Sequence, residues 1–158
     1  MNQPNAPHPP LPVLANTAWE SLFRAQATVM RELQEDGAWG DLASSEYSVL
    51  YALSSGPSCG LRISDLQDDV LLTQAGVSRL IARMEKRGLI TRGPDPDDAR
   101  ARRIMLTASG REAQRRVGAA HARHVAAVLN RTLTRGQLRQ LSELCRLFID
   151  LLARRRER

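Results

Sequence analysis

Between Thr73 and Gly88 the sequence writes out one helix with both ends marked. Thr73 is a residue type that caps helix starts, because its hydroxyl accepts from the free N–H groups of the first turn. Val77, Leu80, Ile81 and Met84 follow at i, i+3, i+4 and i+7, a single apolar stripe. Gly88 supplies the left-handed residue that ends such a helix, and Leu89 can fold back on the stripe. The opposite face carries Gln74, Ala75, Ser78, Arg79, Ala82, Arg83 and Lys86, small at its start and cationic further along. A helix with one greasy side and one small, basic side needs a core on the first. On the second it can meet a polyanion.

The flanking sequence extends this pattern. Residues 1–12 hold five of the eight prolines and read as a disordered arm. From Val13 to Glu35, Trp19, Phe23, Gln26, Met30 and Leu33 recur at helical spacing, and Gly37 and Gly40 close the segment. A second helix fits Ser44–Leu53, a loop Ser54–Pro57 and a short helix Ser64–Val70. After the marked helix, Leu89–Arg92 and Arg102–Thr107 read as strands around the turn-forming run Gly93–Asp98, giving a β-hairpin with a charged tip. A long helix fits Thr107 to about Asn130, with Ala113, Val117, Ala120, Val125, Val128 and Leu129 on its apolar side and His121 and His124 on or near it. Thr134 and Gln137 form a capping box for a last helix, in which Leu138, Leu141, Cys145, Phe148 and Leu152 make a seam that needs a partner helix.

Short helices, a cationic helix and a basic hairpin, in that order, make a winged helix-turn-helix. The chain is therefore expected to be mainly α with a small β-wing, its N- and C-terminal helices forming a dimerisation platform. The divisions are an arm at 1–12, a dimerisation helix at 13–41, a DNA-binding winged helix-turn-helix at 42–107 and C-terminal dimerisation helices at 108–158. The major groove of duplex DNA admits one helix, and small residues at its start let the backbone approach base edges. Gln74 can pair with adenine, Ala75 leaves room, Ser78 reaches a base or a phosphate, and Arg79 and Arg83 reach guanine edges or phosphates, with Lys86 further along. Thr73 and the helix N-terminus can hold a phosphate oxygen. Arg100, Arg102 and Arg103 on the hairpin are placed to enter the adjacent minor groove.

Charge agrees with this placement. The chain of 158 residues has a formal net charge of +6. Its first 72 residues carry three basic against nine acidic residues, and the remaining 86 carry 20 against eight. Such a split suits a polyanionic partner on the C-terminal half. Lys86 is the single lysine among 23 basic residues, a bias that a GC-rich genome accounts for without any function. The apolar stripes of 13–35, 108–130 and 134–153 exceed what one small core absorbs, and a homodimer would bury them. A two-fold pair presents two recognition helices about 34 Å apart, one DNA turn.

The runs Leu61–Leu66 and Leu71–Ile90, with the wing Asp95-Pro96-Asp97-Asp98-Ala99-Arg100, then Ile104–Thr107 and Gly110, resemble the MarR (multiple-antibiotic-resistance regulator) family over about residues 42–112. The resemblance implies a homodimeric transcription regulator in which Asp98 orients Arg100 for minor-groove contact. It also implies that a small aromatic or phenolic effector binds where the platform meets the winged domain, and Trp19, Phe23, Tyr47, Tyr51 and His121 are the candidates for that crevice. Gln67, followed by Asp68 and Asp69, departs from the small residue common at that position in the family and reads as a solvated face.

The expected activity is thus sequence-specific DNA binding on a pseudo-palindromic operator by a ligand-responsive repressor. The alternative is a non-specific architectural nucleic-acid-binding protein that works through charge alone. No enzyme is expected, since there is no Gly-rich phosphate loop, nucleophile elbow or His-Glu metal motif. No metal or other cofactor is expected either: His121 and His124 are three apart, but His8, Cys59 and Cys145 complete no ligand set. Two cysteines form no disulfide framework, no apolar run is long enough for a membrane span, and no secretion signal opens the chain, so a cytoplasmic protein is expected.

Overall fold

A computed structural model describes residues 9–35, 37, 39–69, 72–98 and 100–156. The elements are α1 (Leu11–Glu35), α2 (Ser44–Ser55), β1 (Leu61–Arg62), α3 (Ile63–Asp69), α4 (Gln74–Lys86), β2 (Ile90–Pro94), β3 (Arg102–Leu106), α5 (Ala108–Thr132) and α6 (Arg135–Arg156). The fold is mainly helical with a small antiparallel sheet in the order β1-β3-β2.

The marked helix forms as its ends dictate. Thr73 Oγ1 accepts from the Gly76 N–H at 3.2 Å. At the far end Gly88 takes φ 70°. That turn lets the Leu89 N–H donate to the Met84 carbonyl at 3.0 Å and the Gly88 N–H to Glu85 at 2.9 Å, which satisfies carbonyls the helix leaves open. Val77, Leu80, Ile81 and Met84 are all buried, packed with Leu50 of α2, Leu66 of α3 and Ile104 of β3. Each large side chain removed from water here contributes about 1.5–3 kcal/mol. The Leu89 carbonyl then accepts from the Thr107 N–H at 3.2 Å, tying the start of β2 to the cap of α5.

Several boundaries differ from the sequence expectation. α1 starts at Leu11, inside the segment read as a disordered arm, because the helix opens directly after Pro9-Pro10, whose Pro10 carbonyl accepts from Val13 and Leu14. Residues 1–8 lie outside the described residues, as does Val70, the expected end of the third helix. Ser54 and Ser55 continue α2 instead of opening a loop. β1 was not expected: two residues show no alternation, yet Leu61 pairs with Ile104 and Arg62 with Arg103.

The stripe of α5 is largely used within the chain. Ala113 and Val117 are buried in the core shared with α2, and Val128 is buried as well. The apolar face of α1 is used in this way only at its C-terminal end, where Leu33 is buried, and the seam of α6 is not. Trp19 is 58% and Phe23 60% exposed, Leu141 42%, Phe148 52% and Leu152 46%.

Candidate nucleic-acid interface

α4 turns its unburied side outward. Gln74, Ala75, Ser78, Arg79, Ala82 and Lys86 are all exposed, and Thr73 is exposed at the cap. At about 100° per residue these side chains fall on one arc opposite the buried stripe. Arg79 and Lys86 have no carboxylate partner among the described residues. The small residues therefore lie at the helix start, and uncompensated cations lie further along.

Arg83, expected to reach guanine edges or phosphates, also has a partner within the chain. Its Nε donates to Glu46 Oε1 at 3.1 Å, and Arg87 Nη1 donates to Glu46 Oε2 at 2.6 Å. Glu46 is only 3% exposed. Burial opposes its charge, but hydrogen bonds from the Ala43 N–H and from Arg87 and Arg83 outweigh that and hold its pKa below the ordinary glutamate value. Arg83 lies at the flank of the outer arc, its Nε engaged by Glu46 and its side chain 56% exposed.

The wing is organised around Asp95, whose side chain is fully buried. Its Oδ2 accepts from Arg62 Nε at 2.7 Å and Arg103 Nε at 3.0 Å, and Oδ1 accepts from the Asp97 N–H at 2.9 Å. The Arg62 hydrogen bond is the largest influence, and together with the Asp97 N–H and the two positive charges it drives the carboxyl far below the ordinary aspartate value against the cost of burial. Arg103 also donates to Cys59 Sγ at 3.3 Å and to the Gly60 carbonyl at 3.1 Å. It is thus a structural residue of the wing base, which corrects its expected role as a groove contact. Close packing, not charge, dictates Gly60: at φ 87° a Cβ there would meet Met105 Cγ at 2.7 Å.

At the tip, Asp98 Oδ1 accepts from the main-chain N–H of Arg100 at 2.9 Å, and its carbonyl accepts from the Ala101 N–H at 3.0 Å. Asp98 closes a turn, so whatever it does to Arg100 passes through the backbone. It does not hold the Arg100 guanidinium in an ion pair. Arg100 and Arg102 are both exposed, again without a carboxylate partner among the described residues.

The aromatic candidates divide into two groups. Tyr47, Tyr51 and His121 come together, joined by Trp39, which the sequence reading missed. Trp39 stacks on His121 with centroids 4.4 Å apart, and Tyr47 lies 5.0 Å from His121 and 6.2 Å from Tyr51. These rings, with Ser48, Ser55 and Leu61, line a cavity of about 490 Å³ between α2 and α5. Trp39 Nε1 and His121 Nδ1 are buried without a hydrogen-bond partner among the described residues. Burial, then the charge of His124, lowers the His121 pKa, so the ring is neutral near pH 7. Trp19 and Phe23 lie outside this cavity. They sit on the exposed face of α1, 6.2 Å from each other. Trp39 escaped notice because it lies between glycines, outside any periodic segment. Glu46 and the Arg62–Asp95 pair escaped because the arginine contacts that join them, Arg83 and Arg87 to Glu46 and Arg62 to Asp95, span 33 to 41 positions.

The MarR family model matches residues 41–101. The chain is 39% identical over 70 residues to the transcriptional regulator HosA of Escherichia coli O111:H-, a match covering 44% of this chain and 50% of that protein. The chain thus spans about half the length of this curated relative. Among solved structures it is similar to Sco3205, a MarR family transcriptional regulator from Streptomyces coelicolor in complex with DNA. The identity is 27% and the TM-score 0.70, covering 92% of each chain. It is also similar to the PcaV transcriptional regulator from Streptomyces coelicolor in complex with its natural ligand. That identity is 28% and the TM-score 0.61, covering 77% of this chain and 89% of the other.

Proposed function

We propose, from the match of residues 41–101 to the MarR family model, that the chain is a MarR-type homodimeric, sequence-specific DNA-binding regulator of transcription that responds to a small aromatic ligand. The observation that carries this reading is how the winged unit, residues 42–107, sorts its cations. Arg62, Arg83, Arg87, Arg92 and Arg103 are held by carboxylates. Arg79 and Lys86 on the outer arc of α4, and Arg100 and Arg102 on the wing, have none among the described residues. Within that unit, charge left unpaired on one face of α4 and on the hairpin matches a major groove and its neighbouring minor groove. In this reading Thr73, Gln74, Ala75 and Ser78 lie closest to the bases, Arg79 and Lys86 meet bases or phosphates, and Arg100 enters the minor groove.

The unpaired apolar faces of α1 and α6 support a dimer. Trp19, Phe23, Phe148 and Leu152 are all around half exposed in the single chain, and a second copy would cover them. The half-sites of the operator are then centred about 10 bp apart. The cavity between α2 and α5, lined by aromatic rings of which two carry buried nitrogens without a partner among the described residues, supports a ligand bearing polar groups on a planar ring. Such a ligand lowers DNA affinity only by as much as it prefers the non-binding arrangement of the two copies. Repression is the simplest consequence, since a dimer seated on a promoter needs no further surface to block it.

Selection of bound sites from random duplexes tests this. A recurring pseudo-palindrome bound at least about 10³-fold more tightly than random duplex is expected. Equal binding to every duplex would instead establish a coating protein that acts through charge alone.

A further inference from the structure

The aromatic cavity and the outer helix α4 are held by the same short piece of chain. Trp39 stacks on His121 at its start. Two residues on, the Asp41 carbonyl accepts from Arg87 Nη2 at 3.3 Å, and the Asp41 carboxylate lies 3.6 Å from that nitrogen. Asp41 Oδ1 also accepts from Arg116 at 3.0 Å. Arg87 is the C-cap residue of α4, and Arg116 belongs to α5, the helix that carries His121. Two residues further, the Ala43 N–H donates to Glu46 Oε2 at 3.0 Å, the oxygen that also takes Arg87 at 2.6 Å. The other oxygen of Glu46 takes Arg83 at 3.1 Å. Gly37 and Gly40, at φ 64° and 58°, fold the entry to this turn tightly.

We infer that the turn Trp39–Ala43 is the mechanical link between the aromatic cavity and α4, with Asp41 and Glu46 as positioning residues that carry a displacement of Trp39 to Arg87 and Arg83. The inference rests on the reading of α4 as the DNA-contacting helix. Apolar packing holds α4 against the core, but the hydrophobic driving force has no direction of its own. Charge-assisted hydrogen bonds do have direction. Glu46 receives two arginines one helical turn apart, and that pair defines the rotation of α4 about its axis. Because Glu46 is only 3% exposed, water does not replace a lost arginine there. The arginines therefore follow the carboxylate. A guest entering between Trp39 and His121 has to push apart rings whose centroids are 4.4 Å from each other. Trp39 cannot shift far without moving Gly40 and Asp41, and with them the acceptors of Arg87.

Coupling between sites is reciprocal, so DNA on α4 must be felt at Trp39. The test therefore needs no ligand. Trp19→Phe, a conservative change on the α1 face that a second copy would cover, leaves Trp39 as the only tryptophan of the chain's two, and serves as the parent once its solution mass and duplex binding equal those of the unaltered chain. A duplex selected from a random pool is titrated in, and binding is read independently from the anisotropy of the labelled duplex. The expected result is a change in Trp39 emission with the same midpoint as binding. In that background Asp41→Asn should still bind duplex while losing more than half of the emission change. Glu46→Gln should weaken binding at least tenfold with helical content and solution mass unchanged. Asp41 is a surface residue, so its variant decides the matter even where Glu46→Gln does not fold. Tight binding that leaves Trp39 emission unmoved overturns the link, and so does an Asp41→Asn protein identical to its parent in emission response. A protein that binds no duplex by anisotropy overturns the reading of α4 itself, and the link with it.

Discussion

Gly110→Ala sets two effects of opposite sign against each other. Gly110 is the third residue of α5, where alanine should favour the helix by up to about 1 kcal/mol. The surroundings oppose this. A Cβ on Gly110 would fall well inside van der Waals contact with the Leu89 carbonyl oxygen, 2.9 Å from its carbon and 3.4 Å from Leu106 Cδ2. That carbonyl cannot swing away freely. It accepts from the Thr107 N–H at 3.2 Å and from Thr107 Oγ1 at 3.1 Å. Losing both bonds costs about 2 kcal/mol, and pushing α5 off β2 adds about 1–3 kcal/mol of overpacking. Net of helix propensity, the variant should be about 2–4 kcal/mol less stable, a large fraction of a typical 5–15 kcal/mol. Urea unfolding followed by circular dichroism reads this directly, as a lower midpoint at unchanged slope. A variant as stable as the parent, or more so, would refute the claim that backbone contact decides the residue at 110.

Arg100→Ala should weaken binding to the selected duplex by about 1–3 kcal/mol in an anisotropy titration, with solution mass unchanged. Arg103→Ala should act differently and lower thermal stability, because it leaves the buried Asp95 short of a partner. Phe148→Glu, in the exposed seam of α6, should shift the sedimentation mass from two copies to one. Acid should destabilise the fold. Asp95 and Glu46 both titrate below their ordinary values of 3.8 and 4.5, so the unfolded chain binds protons first. Their contribution is complete above about pH 4.5 and is lost as pH falls through the two folded values, readable as a drop in Tm between pH 5 and pH 3. His121 adds an earlier step of the same sign. Its folded pKa lies below 6.5, so its contribution is whole above that pH and declines below it, and His121→Phe should remove that share of the slope.

Local chemistry accounts for much of what the structure contains. α4 forms where Thr73, Gly88 and the four-residue stripe place it, since caps and periodicity act over a few residues. The capping box of α6 forms as spaced, with the Thr134 N–H donating to Gln137 Oε1 at 2.9 Å. The wing strands follow from turn chemistry and alternation in the same way. β1 carries no such sign, because two residues have no period and become a strand only by pairing with β3.

The arginines mark where local reading stops. Arg79 and Arg83 are one turn apart on α4, of the same type, and indistinguishable by spacing. One stays open to solvent while the other reaches a carboxylate 37 positions away. Arg102 and Arg103 are neighbours, and the alternation of β3 sends the first outward and the second onto Asp95. Tyr47, Tyr51 and His121 likewise become one cavity, and Trp19 and Phe23 are left out of it, only once α2 and α5 are packed together. Helix ends, stripes and turns were readable along the chain because each arises from neighbours in sequence. Which cations remain unpaired, and which rings share a cavity, depended on the packed chain, since the charges and surfaces that decide it lie tens of residues apart and meet only when the core has formed.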